Sequence, residues 1–102
     1  MNEMDKIQMH LDICKELNEI FKRKNSDYGD AFAKLREKYP DAILILINAK
    51  TLRLDTLLSG KERQVEGEKI EDTLFDLANY CIMEGIERRI KRCTESIAVK
   101  KQ

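Results

Sequence analysis

The fold class depends on one segment, AILILINAKTLRLDTLLSG, which spans residues 42–60. Its first six residues form a continuous apolar run, and such a run is consistent with either a buried strand or a buried helix. Leucines then continue at helical spacing, at positions 46, 54, 57 and 58, and no turn residue occurs before Ser59 and Gly60. We therefore predict a helix of about seventeen residues over positions 42–58, which makes the protein all-α.

The overall composition also favours a helical protein with one modest core. The chain has 102 residues, of which 42% are hydrophobic and 37% charged, with one proline and four glycines. Lysine plus arginine equals aspartate plus glutamate at 19 each, so there is no basic excess of the kind that nucleic-acid binding requires. We expect a single all-α domain over residues 1–93, followed by a frayed tail over residues 94–102.

Hydrophobic periodicity predicts a long first helix over residues 5–24. Its apolar positions recur every three or four residues: Ile7, Leu11, Cys14, Leu17 and Phe21. The sequence NSDYG, residues 25–29, then predicts a break in which Gly29 takes a positive φ. Asp30 is placed to cap a short helix over residues 31–38.

The rest of the chain predicts two further helices, which gives three main helices and one short one. Pro40 ends the short helix, because the residue before a proline avoids the α region, and Asp41 is the expected cap of the next helix. A polar linker over residues 61–67 leads to a last helix over residues 68–93. Gly85 lies inside that helix at a cost of about 1 kcal/mol relative to alanine, so we expect it to mark a close helix contact.

Three general properties concern partners and location. The 42–58 helix is apolar on most sides near its start, and a small monomer covers such a surface poorly, so we expect a homodimer or a larger homo-oligomer. No apolar run approaches a membrane span, and the N-terminus lacks a signal-peptide pattern, so we expect no membrane association. The three cysteines show no metal or disulfide spacing, which indicates reduced, packed thiols in a cytoplasmic protein.

The last helix carries a polar stripe beside its apolar one. Asp72, Asp76, Asn79 and Met83 follow at intervals of four, three and four, with no lysine or arginine among them. This stripe is consistent with a solvated face whose acids stabilise the helix dipole. It is also consistent with a Mg²⁺ site, because magnesium takes few protein oxygens and completes its shell with water and phosphate.

Two cations one turn apart interrupt the apolar 42–58 helix. Lys50 and Arg53 can extend from the edge of a buried helix to solvent, or they can bind the phosphate oxygens of a ligand. Tyr28 has a similar pair of interpretations, since a tyrosine packs in cores and also stacks on bases.

Three strings taken together resemble a known family. KNSDYGDAF (residues 24–32), KTLRL (50–54) and IEDTLFDLANYCIM (70–83) resemble the nucleotide-modification-associated domain of phages and bacteria, which is similar to the MazG-like all-α nucleotide pyrophosphohydrolases. The resemblance covers residues 14–87. It implies a MazG-like helical bundle completed by oligomerisation, in which an acidic helix holds Mg²⁺ against the phosphates of a nucleotide. Water attack would then release pyrophosphate and a monophosphate.

The resemblance also implies roles for individual residues. Asp76 matches the aspartate of the MazG-like E-x-x-D motif, whereas the glutamate position is Thr73, so that Asp72 or Glu71 would supply the second carboxylate. The implied catalytic residues are Asp76, Asp72 and Asp27, and the implied metal ligands are Asp72, Asp76, Glu71 and Asp30. Lys24, Lys50 and Arg53 would contact phosphates, and Tyr28 and Asn79 would contact base or sugar. An arginine and an aspartate that usually precede K-x-x-R-L are replaced by Leu46 and Ala49.

Three functions remain open from the sequence. The first is a Mg²⁺-dependent nucleoside triphosphate pyrophosphohydrolase. The second is a phage or bacterial protein that binds or sequesters a nucleotide without turnover, in nucleotide modification or counter-defence. The third is a helical protein-interaction module whose main surface is the 42–58 helix.

Overall fold

The computed structural model describes residues 2–28, 30–60 and 68–100. Within these ranges the chain forms four α-helices and no strand: α1 Glu3–Tyr28, α2 Ala31–Lys38, α3 Ala42–Leu58 and α4 Glu68–Lys100. The all-α prediction is confirmed. The bounds of α2 and α3 match those expected from the sequence, whereas α1 and α4 are longer.

The chain divides into two compact units, Met1–Ala31 and Phe32–Gln102. The first unit consists of α1 and the residues beside it. The Asp5 amide donates a hydrogen bond to Asn2 Oδ1 at 2.9 Å, so Asn2 caps the start of this helix. The prediction of one domain over residues 1–93 stays a prediction.

The expected break after Lys24 is wrong, because α1 continues to Tyr28. Asparagine, serine and aspartate are weak helix formers, but each costs only a few tenths of a kcal/mol and none blocks the backbone. Gly29 lies outside the described residues. Asp30 has a φ of 60°, in the left-handed region that aspartate tolerates, whereas a capping residue usually has an extended backbone.

The core of the second unit forms where α3 packs along α4. Ala42, Ile43 and Leu57 are buried on α3. On α4 the buried residues are polar: Thr73, Asn79 and Glu84. The helix predicted from the leucine spacing is therefore confirmed as α3. The buried polar residues of α4 need hydrogen-bond partners within this core.

Backbone contacts set the start of α3. Asp41 occupies the N-cap position as expected, but its side chain makes no capping hydrogen bond. The Ala42 amide instead donates to the Tyr39 carbonyl at 2.9 Å, and the Leu44 amide donates to the Asp41 carbonyl at 3.0 Å. At the other end, Gly60 has a φ of 78°, which is the left-handed conformation common after helices.

The last helix differs from expectation in its length and at its glycine. It was expected to end near Cys93, but α4 extends to Lys100, since residues 94–100 contain neither glycine nor proline. The expected close contact at Gly85 is wrong, because a Cβ at this position would meet nothing within 4 Å.

Several apolar side chains are exposed. Cys14, Cys81 and Cys93 are free and exposed, so the expectation of packed thiols is wrong. The outer face of α3 exposes Leu44, Ile45, Leu52 and Leu58.

In the part of the chain that the structure describes, no helix is both long and apolar enough to cross a membrane.

Candidate functional site

An ion pair joins α3 to α4 at the centre of the second unit. Lys50 Nζ lies 3.0 Å from Asp76 Oδ2, and the two side chains are 28% and 29% exposed. The sequence assigned Lys50 to phosphate and Asp76 to metal, and the structure brings these two residues together in one pair. Both charges are partly withdrawn from water but still reachable from it.

The polar side chains of α4 around Asp76 differ in their burial. Thr73, one turn earlier, is buried. Asn79, one turn later, is also buried, so its amide faces the protein interior. Asp72 and Glu71 are exposed. Along the stripe, Asp72 is therefore exposed, Asp76 is partly exposed and Asn79 is buried.

Arg53 lies one turn beyond Lys50 on α3 and is half-buried. Residues three apart on a helix lie on the same side, so both cations border the surface where α3 meets α4. A guanidinium at that point can bind two oxygens of one phosphate, whereas an ammonium acts as a point charge. We call the surface formed by Lys50, Arg53, Asp72 and Asp76 the α3–α4 seam.

The seam offers the one or two carboxylates that Mg²⁺ commonly takes from a protein, but these carboxylates do not surround a metal ion. Across residues 2–28, 30–60 and 68–100, no group of three or more His, Cys, Asp or Glu side chains is placed to hold a metal ion. Magnesium is commonly held by one or two carboxylates together with water and substrate phosphates. Asp72 and Asp76, one turn apart on α4, fit that smaller requirement, with Glu71 beside them.

The other predicted site residues belong to the first unit. Lys24 and Asp30 are exposed there. The side chains of Asp27 and Tyr28 lie outside those that the structure describes. Their assignment to phosphate, metal, water and base stays a prediction.

A second charged cluster was missed in the sequence. Glu84 is buried on α4 and accepts two hydrogen bonds from Arg36 of α2, at 2.9 Å from Nε and 3.1 Å from the terminal nitrogen. Arg88 Nε donates to the same carboxylate at 2.8 Å. The spacing of Glu84 and Arg88 is a recognisable helical pair, but no local pattern points to Arg36, because it lies 48 positions away.

The Arg36–Glu84–Arg88 cluster is an anchor rather than a reactive site. The hydrogen bond from Arg36 lowers the pKa of Glu84, and the bond from Arg88 adds to this, while burial opposes it. The same bond with Glu84 raises the pKa of Arg36. Arg36 and Glu84 are thus held in their charged forms, and their bond ties α2 to α4.

The second half of α4 borders a concave surface with a volume of about 1170 Å³. Isoleucines and arginines dominate its lining, which includes Ile82, Ile86, Ile90, Arg89 and Arg92. None of the residues assigned to the nucleotide or the metal lines this surface. It is therefore separate from the α3–α4 seam.

Comparison with known proteins shows the family. Searches of curated proteins and of solved structures returned no match. The family model described as nucleotide modification associated domain 1 matches residues 24–87, well over half of the chain. The matched range contains the Lys50–Asp76 pair and both Arg36 and Glu84, and it ends one residue before Arg88. The chain belongs to the nucleotide modification associated domain 1 family.

Proposed function

We propose that this protein binds a nucleotide at the α3–α4 seam, with the phosphates at Lys50 and Arg53. The observation that supports the proposal is the Lys50–Asp76 pair, in which a cation of the kind that binds phosphate lies 3.0 Å from a carboxylate of the kind that binds Mg²⁺. The family's description, which refers to nucleotide modification, is compatible with such a ligand.

Binding would exchange partners at this pair. Lys50 pairs with Asp76, and a phosphate oxygen would compete for the Lys50 ammonium. Asp76 would then hold Mg²⁺ together with Asp72, with Glu71 near the same shell. When bound, Mg²⁺ would neutralise phosphate charge and lower the pKa of a bound water. Because each charge keeps a partner, we expect nucleotide and Mg²⁺ to strengthen each other's binding.

The reaction that such a site would support is hydrolysis to a nucleoside monophosphate and pyrophosphate. Water would form a bond to the α-phosphorus while the bond from that phosphorus to the bridging oxygen breaks, and pyrophosphate would leave. Asp76 and Asp72 are the carboxylates of the seam that we assign to this step. Asn79 would contact base or sugar, and because it is buried, its contact would need a local shift of the seam.

Binding without turnover is a second candidate, and one observation favours it. The position of the motif's glutamate is occupied by the buried Thr73, so the helix offers no inward carboxylate one turn before Asp76. A pocket of this kind would hold a nucleotide and sequester it.

One experiment tests binding and turnover together. The purified protein is incubated with a mixture of nucleotides and Mg²⁺, and both free and protein-bound ligands are identified by mass spectrometry. Monophosphate and pyrophosphate that appear with the wild type and not with Asp76→Asn would support hydrolysis. Bound, unchanged nucleotide would support sequestration. Absence of any bound or converted nucleotide across the panel would contradict both.

The outer face of α3 favours the third candidate, an interaction module. Leu44, Ile45 and Leu52 are all well exposed there, whereas Ile43 on the opposite side is buried. We also propose a homo-oligomer, since such a face is available for a partner. If interaction through α3 is the main function, reversing the charges of Asp72 and Asp76 should leave it intact, and Leu52→Asp should abolish it.

A further inference from the structure

The second half of α4 exposes four isoleucines on one side. Ile82, Ile86, Ile90 and Ile97 are spaced by four, four and seven residues, and each is between 38% and 55% exposed. Residues at this spacing lie along one side of a helix, so they form an apolar face about 24 Å long. We call these four residues the isoleucine row.

Helix α3 does not flank most of the isoleucine row. Lys50, near the middle of α3, pairs with Asp76, whereas Arg36, six residues before α3 begins, pairs with Glu84. The start of α3 therefore lies beside α4 near residue 84, and α4 continues alone past that point. The packing of α3 on α4 thus leaves the isoleucine row open.

The same part of α4 is strongly basic. Residues 88–100 contain five cations and one acid. Arg88, Lys91 and Arg92 are exposed on the side of the helix away from the isoleucine row, and Arg89 is exposed beside the row. The segment is therefore an amphipathic helix with an apolar side and a cationic side, which is the pattern of helices that lie on membrane surfaces.

The position of these cations indicates which kind of partner covers the row. A protein packed on the isoleucines would leave most of the cations on the far side of the helix, in water. A helix on a bilayer sinks its apolar face about 5–10 Å into the boundary of headgroups and acyl chains, so its cationic side stays close to the headgroups. The potential of anionic lipids extends over a Debye length of about 8–10 Å, which is comparable to the diameter of a helix. An anionic lipid surface therefore interacts with both sides.

We propose that the second half of α4 binds an anionic lipid surface, with the isoleucine row in the acyl-chain boundary and the cations at the lipid phosphates. Such a helix lies on the bilayer and does not cross it. The sequence expectation of no membrane association concerned spans and signal peptides, and a surface-bound helix needs neither. The proposal is independent of the proposed nucleotide function and of the proposed homo-oligomer.

Flotation of the full chain with lipid vesicles tests the proposal. Vesicles of phosphatidylcholine alone are compared with vesicles that contain phosphatidylcholine and phosphatidylglycerol in equal parts. We expect the wild type to bind the anionic vesicles at least about tenfold more tightly, because each cation near a charged bilayer adds to the attraction. A higher salt concentration should weaken this binding, because screening shortens the range of the potential.

A variant of the row tests the apolar contribution. Ile90→Gln removes apolar surface from the isoleucine row and should weaken binding to anionic vesicles at least about fivefold. Leu52→Gln, at an exposed leucine on α3, is the matched control and should bind as the wild type does. Circular dichroism verifies that both variants keep their helices. If Ile90→Gln fails to fold, Ile97→Gln replaces it.

A second pair of variants tests the charge. Arg89→Gln combined with Arg92→Gln removes two cations from α4 and should weaken binding to anionic vesicles at least about fivefold. Lys15→Gln combined with Lys34→Gln removes two exposed cations from other helices, and this control should bind as the wild type does.

The free cysteines of α4 report which side of the helix enters the lipid. Cys93 lies on the side of the isoleucine row, whereas Cys81, twelve residues earlier, lies away from it, and both are exposed. Cys14→Ser combined with either Cys81→Ser or Cys93→Ser leaves a single cysteine for a polarity-sensitive fluorophore. With anionic vesicles we expect the fluorescence of the Cys93 probe to rise at least about twofold, and that of the Cys81 probe to change little.

Several results would overturn the proposal. These are a wild type that binds no vesicles, which is the outcome expected if a protein covers the row, and equal binding to neutral and anionic vesicles. A control variant that weakens binding as much as Ile90→Gln would also overturn it, as would a Cys81 probe that responds as strongly as the Cys93 probe.

Discussion

The Arg36–Glu84–Arg88 cluster gives a prediction in which two bonds to one carboxylate differ greatly in strength. Glu84 and Arg36 have side chains that are 11% and 22% exposed, whereas Arg88 is 72% exposed. A bond between charged groups withdrawn from water contributes about 1.5–3 kcal/mol, and an exposed helical pair contributes about 0.3–0.5 kcal/mol. We therefore expect Arg36 to account for most of the stabilisation at Glu84.

Two double-mutant cycles measure this difference. The first combines Glu84→Gln with Arg36→Gln, and the second combines Glu84→Gln with Arg88→Gln. We expect Glu84→Gln alone to cost about 2–3 kcal/mol of unfolding free energy, because it leaves Arg36 without its anionic partner. The coupling energy should be about 2 kcal/mol in the first cycle and no more than about 0.5 kcal/mol in the second.

Urea unfolding followed by far-ultraviolet circular dichroism supplies all of these values. The Arg88 cycle is the internal control, since it changes the same carboxylate and another arginine. A coupling of Arg88 to Glu84 that equals or exceeds that of Arg36 would refute the reasoning from burial. So would an Arg36 coupling below about 0.5 kcal/mol, because that value is typical of a fully solvated pair.

Three further predictions follow from the structure. Arg36 lowers the pKa of Glu84, so the stabilisation by this pair should be complete above the ordinary glutamate pKa of about 4.3. It should be lost as the pH falls from there through the lowered pKa. In urea midpoints measured against pH, Glu84→Gln should flatten this dependence. Gly85→Ala should raise the unfolding free energy by about 1 kcal/mol, since the added methyl meets nothing and alanine favours the helix; a lower melting temperature would contradict this. Lys50→Met should weaken nucleotide binding, measured by calorimetry, at least about tenfold. The control Lys34→Met changes an exposed lysine on α2 and should not weaken it. Equal nucleotide affinities of Lys50→Met and the wild type would exclude Lys50 from the site.

The sequence was a good guide to the helices and a poorer guide to their ends. The leucine spacing after AILILI identified α3, because helical periodicity over a long segment is a strong signal. Helices α1 and α4 end later than the sequence predicts, because Asn25 and Ser26 cost a helix little and residues 94–100 contain neither glycine nor proline. Gly85 predicts a close contact with another helix, but a glycine inside a helix does not need such a contact, and a Cβ at this position would meet nothing within 4 Å.

In the candidate site, features within one helix could be predicted from the sequence, whereas contacts between helices could not. The stripe of Asp72 and Asp76 on α4 was visible in the sequence because it depends on spacing within one helix. The pairing of Asp76 with Lys50 was not, because it depends on how α3 packs against α4. Arg36 was missed for the same reason, since its partner Glu84 lies on another helix far along the chain.

The central claim, that a nucleotide binds at the α3–α4 seam, is tested most directly by amide chemical-shift mapping with NMR. A nucleotide found by the mass-spectrometric panel is titrated with Mg²⁺ into the wild type and into Lys50→Met. We expect the largest shifts at residues 50–54 and 71–77, and we expect them to shrink markedly in the variant. Shifts confined to the second half of α4, or shifts of equal size in both proteins, would contradict a nucleotide site at this seam.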